Sequence, residues 1–564
     1  MQSKKILASI LIITGAFLFS CKKDFQPDND NHSGDDRFAN DPGFAEGLLL
    51  NGYAALPNAY SFDEAATDDA VTNDKLSVYP KMATGGWSIS YDPVAIWNNA
   101  YKQIYYLNYF LSIADNVVYS YNDKSAPAAE RNEFFKKRLK AEAKALRAWY
   151  NFEILKRHGG IAADGVPRGF VIMKTLPEKS PNWNLPRDTY EDCLKFILSD
   201  IEEAASALPD VYANKGPTEL NYNAVFGAQN KNRINALFVK ALKSRVLLQV
   251  ASQTFITAPE KWENAAAAAA ALLVPYGGPT GLSATGLNWW KANADKEILW
   301  RRDFQNINTR EMSNFPPSLF GKGQTNPSQN LVNVFPMANG FPITESSQYN
   351  SQNPYANRDP RLKAYIIYNG NTINAKPINT TLEDPKNGLN KTIQSTRTGY
   401  YLKKLLQEVV NLDPKATTSA QHFYTIFRYT ELFLNYAEAA NEAWGPASDP
   451  KGYGFTAQQI IAAIRKRGGI TQPDAYLNTI TSQEAMRTLI RNERRIELSF
   501  EGFRFWDMRR WNLDLTEKVK GVSITAGQYT IIDVEDRLYK PFMQYGPIPN
   551  AEILKSDVIQ NAGW

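Results

Sequence analysis

The sequence predicts an all-α chain: tetratricopeptide-like helical hairpins form a scaffold, and a long, irregular, loop-rich insertion carries a few short strands. Three observations lead there. Apolar residues recur at helical spacing toward both ends of the chain, in runs opened by capping residues and closed by glycine or proline. Between about residues 275 and 425 that periodicity gives way to Gly, Pro, Asn and Ser, as in "NFPPSLFGKGQTNPSQN". Consecutive helical hairpins in the first half suggest tetratricopeptide-like stacking, although the ~34-residue sequence period of such repeats is absent.

At the N-terminus, "MQSKK" is a basic leader and "ILASILIITGAFLF" an apolar run of 14 residues, long enough for a secretory signal and short for a membrane span. The run ends in "LFSC", which resembles a bacterial lipobox, so residues 1–20 are read as a lipoprotein signal peptide and Cys21 as the lipidated residue. Residues 21–40, with "KKDFQPDNDNHSGDD", are too polar to bury a core and read as a flexible tether. One body follows over 41–564: helical and repeat-rich at 41–275, loop-rich at 276–425, helical again at 426–564.

Within that body, helices are predicted over 92–117, 128–160, 186–209, 232–252 and 259–273. Asp92-Pro93 supplies an N-cap and first-turn pair for the first of these, and the Gly159-Gly160 pair closes the second. Cys193 lies on an apolar helical face and reads as inert core. "EILWRRDF" and "AYIIYNG" are β-like runs in the loop-rich part. Helices return at 427–443, 456–467 and 482–500. Loops on a rigid scaffold are where binding residues concentrate, which makes 276–425 the region to search.

Composition narrows the chemistry. The formal charge is +5, falling to about +3 once Lys4 and Lys5 leave with the signal. Acids and bases are mixed throughout, which excludes a nucleic-acid partner. Three histidines (His32, His158, His422) and two cysteines share no local motif, so neither a metal site nor a cofactor is expected.

The densest charge lies in "IRNERRIELSFEGFRFWDMRRW", where six arginines and four acids alternate with five aromatic rings. Glu493, Glu497 and Glu501 are spaced by four and line one helical stripe. Arg494 and Arg504 could offer forked donors to them. A glutamate stripe could also hold a metal or serve glycoside hydrolysis. Nothing nearby supplies the further ligands or open loop for either, so a structural ion-pair network is the expectation.

The same stretch closely resembles the C-terminal signature of the SusD/RagB family of outer-membrane nutrient-binding lipoproteins. Further blocks resemble it in order: "RAWYNFEILKRHGGI", "NPSQNLVNVFPMANGFPI", "NRDPRL", "TGYYLKKL", "FRYTELFLNYAEAANE", "AIRKRGGI" and "YGPIPNAEI". The resemblance implies an all-helical fold with four tetratricopeptide-like hairpins in the N-terminal half. It also implies a surface-exposed lipoprotein anchored to the outer membrane, since "CKKD" is similar to the family's export signal. The implied activity is non-catalytic: capture of an oligosaccharide, or in some branches a peptide, with a SusC-like TonB-dependent transporter as partner.

Carbohydrate recognition needs flat aromatic faces and polar groups that grip hydroxyls. Rings in loop settings are therefore the candidate ligand contacts: Trp87 and Tyr91 in "TGGWSISYDP", Trp289 and Trp290 in "LNWWKAN", and Phe315 in "SNFPPSLF". Gly85 and Gly86 permit an exposed turn at Trp87, and on an extended segment one of the paired tryptophans would face out. A rival class, a surface glycoside hydrolase, would use Asp68 and Asp69. Adjacent acids point different ways on most backbones, which makes them a poor pair across one bond.

Overall fold

The computed structural model describes residues 41–120, 125–177, 184–291 and 295–564. Cys21 and the tether lie outside the described residues. The first helix, α1 (Pro42–Ala54), is one the sequence reading missed. Asp41 caps it, accepting the N–H groups of Gly43 (2.7 Å) and Phe44 (3.1 Å), and Pro42 occupies the first turn, where its missing N–H costs nothing. The second Asp-Pro, at 92–93, does not start a helix. Its carboxylate accepts the indole N–H of Trp87 (2.9 Å) and the N–H of Val94 (3.2 Å), and α2 begins only at Trp97 (Trp97–Ile113).

From there the expected series appears: α3 (Ala126–His158), α4 (Tyr190–Ala207), α5 (Ala236–Ala251) and α6 (Lys261–Leu273). Thr189 caps α4 through the N–H of Asp192, and Asn235 caps α5 through that of Phe238. Each helix packs on its successor, and α7 (Tyr429–Trp444) packs on α6. Beside α7 lie α8 (Ala457–Gly468), opened by a Thr456/Gln459 capping box, and α9 (Gln483–Glu497). One apolar core runs through the stack, from Leu49 and Leu107 through Leu146, Ile197 and Leu242 to Leu434, Ile460 and Ile490. α7 is buried from Tyr429 to Asn441, the central rod on which both halves rest.

The loop-rich region has its own core of Trp289, Trp290, Phe335, Tyr365, Leu402, Ile496 and Phe500. Each sheet among the described residues has two strands. β1 (Ile298–Arg301) pairs antiparallel with β4 (Thr425–Arg428), and β2 (Gln305–Ile307) with β3 (Ala420–His422). Together they make an interrupted ribbon whose linking residues, 302–304, stay on the partner strand through the Arg302 N–H, which donates to the Tyr424 carbonyl (2.8 Å).

Two expectations for the C-terminal part need correction. It is not only helical, because β5 (Val519–Thr525) and β6 (Gln528–Glu535) form the longest hairpin among the described residues. The helix expected over 482–500 stops at Glu497. Lys404 Nζ donates to the carbonyls of Glu497 (2.7 Å) and Ser499 (2.9 Å), and Arg428 to that of Glu497 (2.7 Å), so cations satisfy the freed carbonyls at the negative helix end. Phe500 (φ 62°) and Gly502 (φ 82°) then turn the chain into α10 (Arg504–Arg510).

Candidate binding cleft

The glutamate stripe is an ion-pair network, as expected, but with different partners. Glu493 accepts Arg361 (2.8 Å) and Arg465 (2.9 Å); Glu497 accepts Arg361 (3.1 Å) and Arg467 (2.8 Å). Glu501 accepts Arg428 (2.8 Å) and Lys404 (2.6 Å). Arg494 turns instead to Asp507 (2.8 Å) and Asn435 (2.8 Å), and Arg504 to Asp68 (2.7 Å). Burial would raise the Glu497 pKa, yet Arg467, Arg361, Arg428 and Lys404 outweigh it and hold the carboxyl at about 2. Asp68 and Asp69 do not point apart: Arg495 takes both, at 2.7 Å each. Burial would raise Asp68 too, but Arg495 and Arg504 keep it well below the usual carboxylate range.

The candidate rings are not brought together, and four of the five are core. Trp87 is 3% exposed and sits edge-on to Trp564 (5.0 Å) and Tyr539 (6.0 Å), with the Arg509 guanidinium 5.0 Å from its ring. The turn expected there is present, with Gly85 exposed at φ 100°, but the ring is not exposed, because Tyr539 and Trp564 of the C-terminal segment pack on the indole. Its neighbour Tyr91 is half-buried, with its hydroxyl donating to the Val78 carbonyl (3.1 Å) and Lys81 over its ring.

Trp289 and Trp290 are both buried, since Gly286–Lys291 coils into a 3₁₀ turn rather than extending. Phe315 fills another small core with Ile367, Tyr401 and Leu406. Stacking on a sugar needs an accessible face, which these four rings do not present. Cys193 is buried as expected, and burial pushes its thiol up to about 12. His158 lies edge-on to Trp97, and burial takes its pKa down to about 3.

Accessible chemistry appears elsewhere. A cleft of about 560 Å³ opens between the end of α1 (Leu50, Tyr53, Ala54 and Asn58 beyond it), the 229–233 loop and the ribbon residues 300–305. Its walls are tied together. Tyr53 donates its hydroxyl to Glu142 (2.7 Å) and accepts the N–H of Ile234 (3.0 Å). Arg302 Nη1 donates to the Tyr53 carbonyl (2.8 Å), joining ribbon to helix. Trp300, 6% exposed, donates to the Arg233 carbonyl (3.2 Å), and Asn232 donates to Asp303 (2.8 Å).

Over this floor stand the side chains of Asn58, Gln229 and Gln305, all exposed, and of half-buried Arg301, whose guanidinium lies 3.7 Å from the Phe304 ring centroid. Partial burial lowers the Arg301 pKa and nearby Asp303 acts against that. Amides and guanidinium held on a rigid base can donate to and accept from several hydroxyls at once.

Two other spaces suit ligand less well. A cavity of about 200 Å³ beneath Tyr60 and Tyr424 is lined by charges that pair with one another, such as Arg245 with Glu431 and Arg510 with Asp507. A groove of about 350 Å³ beside Trp97 and Tyr105 is chiefly apolar. The run "EILWRRDF" forms a strand over Ile298–Arg301, as its pattern predicts, and the sequence signal for the cleft is its Arg-Arg pair with a single following acid.

Comparison with known proteins follows the whole body. The model of the SusD family matches residues 296–564, and a second family model, described as starch-binding associating with outer membrane, matches 51–231. A SusD-like protein of Formosa agariphila is 25% identical over 298 residues, 47% of this chain and 49% of that protein. The match thus spans about half the length of that curated relative.

Among solved structures, a SusD-like protein from Bacteroides fragilis superposes with a TM-score of 0.72 at 25% identity, covering 94% of this chain and 99% of that one. A SusD-like carbohydrate binding protein from the same species gives 0.70 at 20% identity, covering 92% and 99%. At that identity the second likeness speaks for the fold.

Proposed function

Since the chain belongs to the SusD/RagB family, we propose that it is a non-catalytic glycan-binding protein of the cell surface. A lipid on Cys21 holds it to the outer membrane, and a SusC-like TonB-dependent transporter receives its ligand. The relative with a similar fold that is described as carbohydrate binding supports the ligand class, and the family description naming the outer membrane supports the location.

The observation that carries the reading is the cleft at 50–58, 229–233 and 300–305, where exposed amides and a guanidinium stand ready over a cross-braced floor. Asp68 and Asp69, held by Arg495 and Arg504, offer a hydrolase reading no support.

The test is binding by the lipid-free mature chain across a glycan panel, repeated with Ala54→Trp. Ala54 is exposed at the cleft wall, so an indole there occupies the space without removing a hydrogen bond. Loss of binding with an unchanged melting temperature is expected. Full binding by the variant would place the ligand elsewhere.

A further inference from the structure

Arg301 and Arg302 differ from the arginines that lock the scaffold through carboxylates. Unlike Arg187 or Arg358, whose forks are filled by several main-chain carbonyls, each makes one such bond. Arg361, Arg428, Arg465, Arg467, Arg494 and Arg510 each face at least one carboxylate within ion-pair distance. Arg233, at the back of the cleft, pairs with Glu46 and Glu142. Arg301 and Arg302 face none among the described residues. Their side-chain hydrogen bonds go to main-chain carbonyls, from Arg301 to that of Arg302 (2.8 Å) and from Arg302 to that of Tyr53 (2.8 Å). The one acid lining the cleft, Asp303, already accepts from Asn232. Among the described residues, most N–H groups of each fork have no hydrogen-bond acceptor.

The aromatic side points the same way. A neutral pyranose is gripped largely through its C–H face on a bare ring. Here Tyr53 and Trp300 are 8% and 6% exposed, and the Arg301 guanidinium covers a face of Phe304 at 3.7 Å. The contact with the ring restrains the guanidinium, and with one Nη on the Arg302 carbonyl its remaining N–H groups are the donors a carboxylate or sulfate would take. The rim amides of Asn58 and Gln305 suit neighbouring hydroxyls, and Gln229, whose amide nitrogen donates to the Ala224 carbonyl (3.1 Å), offers its oxygen.

We infer that this cleft takes an anionic glycan, one whose carboxylate or sulfate groups pair with Arg301 and Arg302. The inference rests on the cleft being the ligand site.

The experiment titrates the lipid-free chain with oligogalacturonate, a sulfated galactan, neutral laminarin oligosaccharides and poly-glutamate. Binding of one or both acidic glycans is expected, with little for the neutral glycan or the peptide. Raising salt from ~50 to ~500 mM should weaken it about tenfold or more, as screening grows. Arg301→Gln should weaken binding about tenfold to a hundredfold, the loss of a charge-assisted pair, and Arg301→Lys should lose less because the charge stays. Arg302 also braces α1, so Arg302→Gln is read only with its melting temperature beside it, whereas Arg301 and the salt series stand alone.

A neutral glycan bound in the cleft, blocked by Ala54→Trp and indifferent to Arg301→Gln, would overturn the anionic class and leave the cleft intact. Acidic glycan binding untouched by both variants would overturn cleft and class together. Preference for poly-glutamate, or binding of none of the four, would refute the anionic-glycan assignment.

Discussion

Glu497 shows how the charged block works at the scale of one residue. It is 1% exposed and its carboxyl is held at about 2, against an ordinary 4.5, by four surrounding cations. A depressed folded pKa contributes stability that is complete above the unfolded value and lost as pH falls through the folded one. The protein should therefore weaken between about pH 4.5 and 2. Glu497→Ala leaves Arg467 and Arg361 partly uncompensated in the interior and should cost about 3 kcal/mol. Denaturant melts of the variant across that pH range check both: the wild type should lose stability toward acid, and the variant should lose less.

Trp87→Ala belongs here too. It opens a void beside Tyr539 and Trp564 and strips the indole donor from Asp92, whose pKa burial already raises to about 6. A loss of about 3–5 kcal/mol is expected. Thermal melting with native stability would show the ring is not core. The sequence made the glutamate stripe legible because spacing by four is a local rule. It could not supply Arg361, which arrives from 132 residues before Glu493.

At the scale of elements, strong periodicity carried α3 to α9 close to their observed bounds, while short signals misled. Asp41-Pro42 and Asp92-Pro93 are the same dipeptide and both carboxylates accept the N–H two residues on, yet only the first runs straight into a helix, while the second also holds the Trp87 indole. The β5–β6 hairpin escaped for a related reason. Its two-residue loop, Ala526-Gly527, has positive φ at both positions (48° and 78°), the turn for which Asn-Gly is the familiar sign. Alanine in that conformation is strained, so Ala526→Asn should stabilise by about 0.5–1 kcal/mol. A rise in melting temperature checks it; a fall would mean the turn is not as described. Four of the five candidate rings prove buried on similar grounds. Gly and Trp together say that a turn exists, but whether a ring stays bare depends on distant chain, here Tyr539 and Trp564 over Trp87.

At the scale of the whole molecule, the hairpin stack and the loop-rich part share α7 as their common wall, and the cleft forms where α1 meets the ribbon. The body was readable as one family from blocks spread along it, because such blocks include the charged residues that lock one part to another. The candidate cleft was not, since its donors come from three separated segments with no spacing rule between them. Anchoring is separable from the body: Cys21→Ala should leave a chain that folds and binds glycan yet no longer sediments with outer membranes, and a variant still membrane-bound would defeat the lipid reading. The central claim is that ligand sits over Arg301, Arg302 and Asn58, and a crystal structure of the lipid-free chain with the oligosaccharide it binds tests this most directly. The account predicts sugar oxygens within hydrogen-bond distance of those side chains; a sugar seated instead in the apolar groove beside Trp97 and Tyr105 would contradict it.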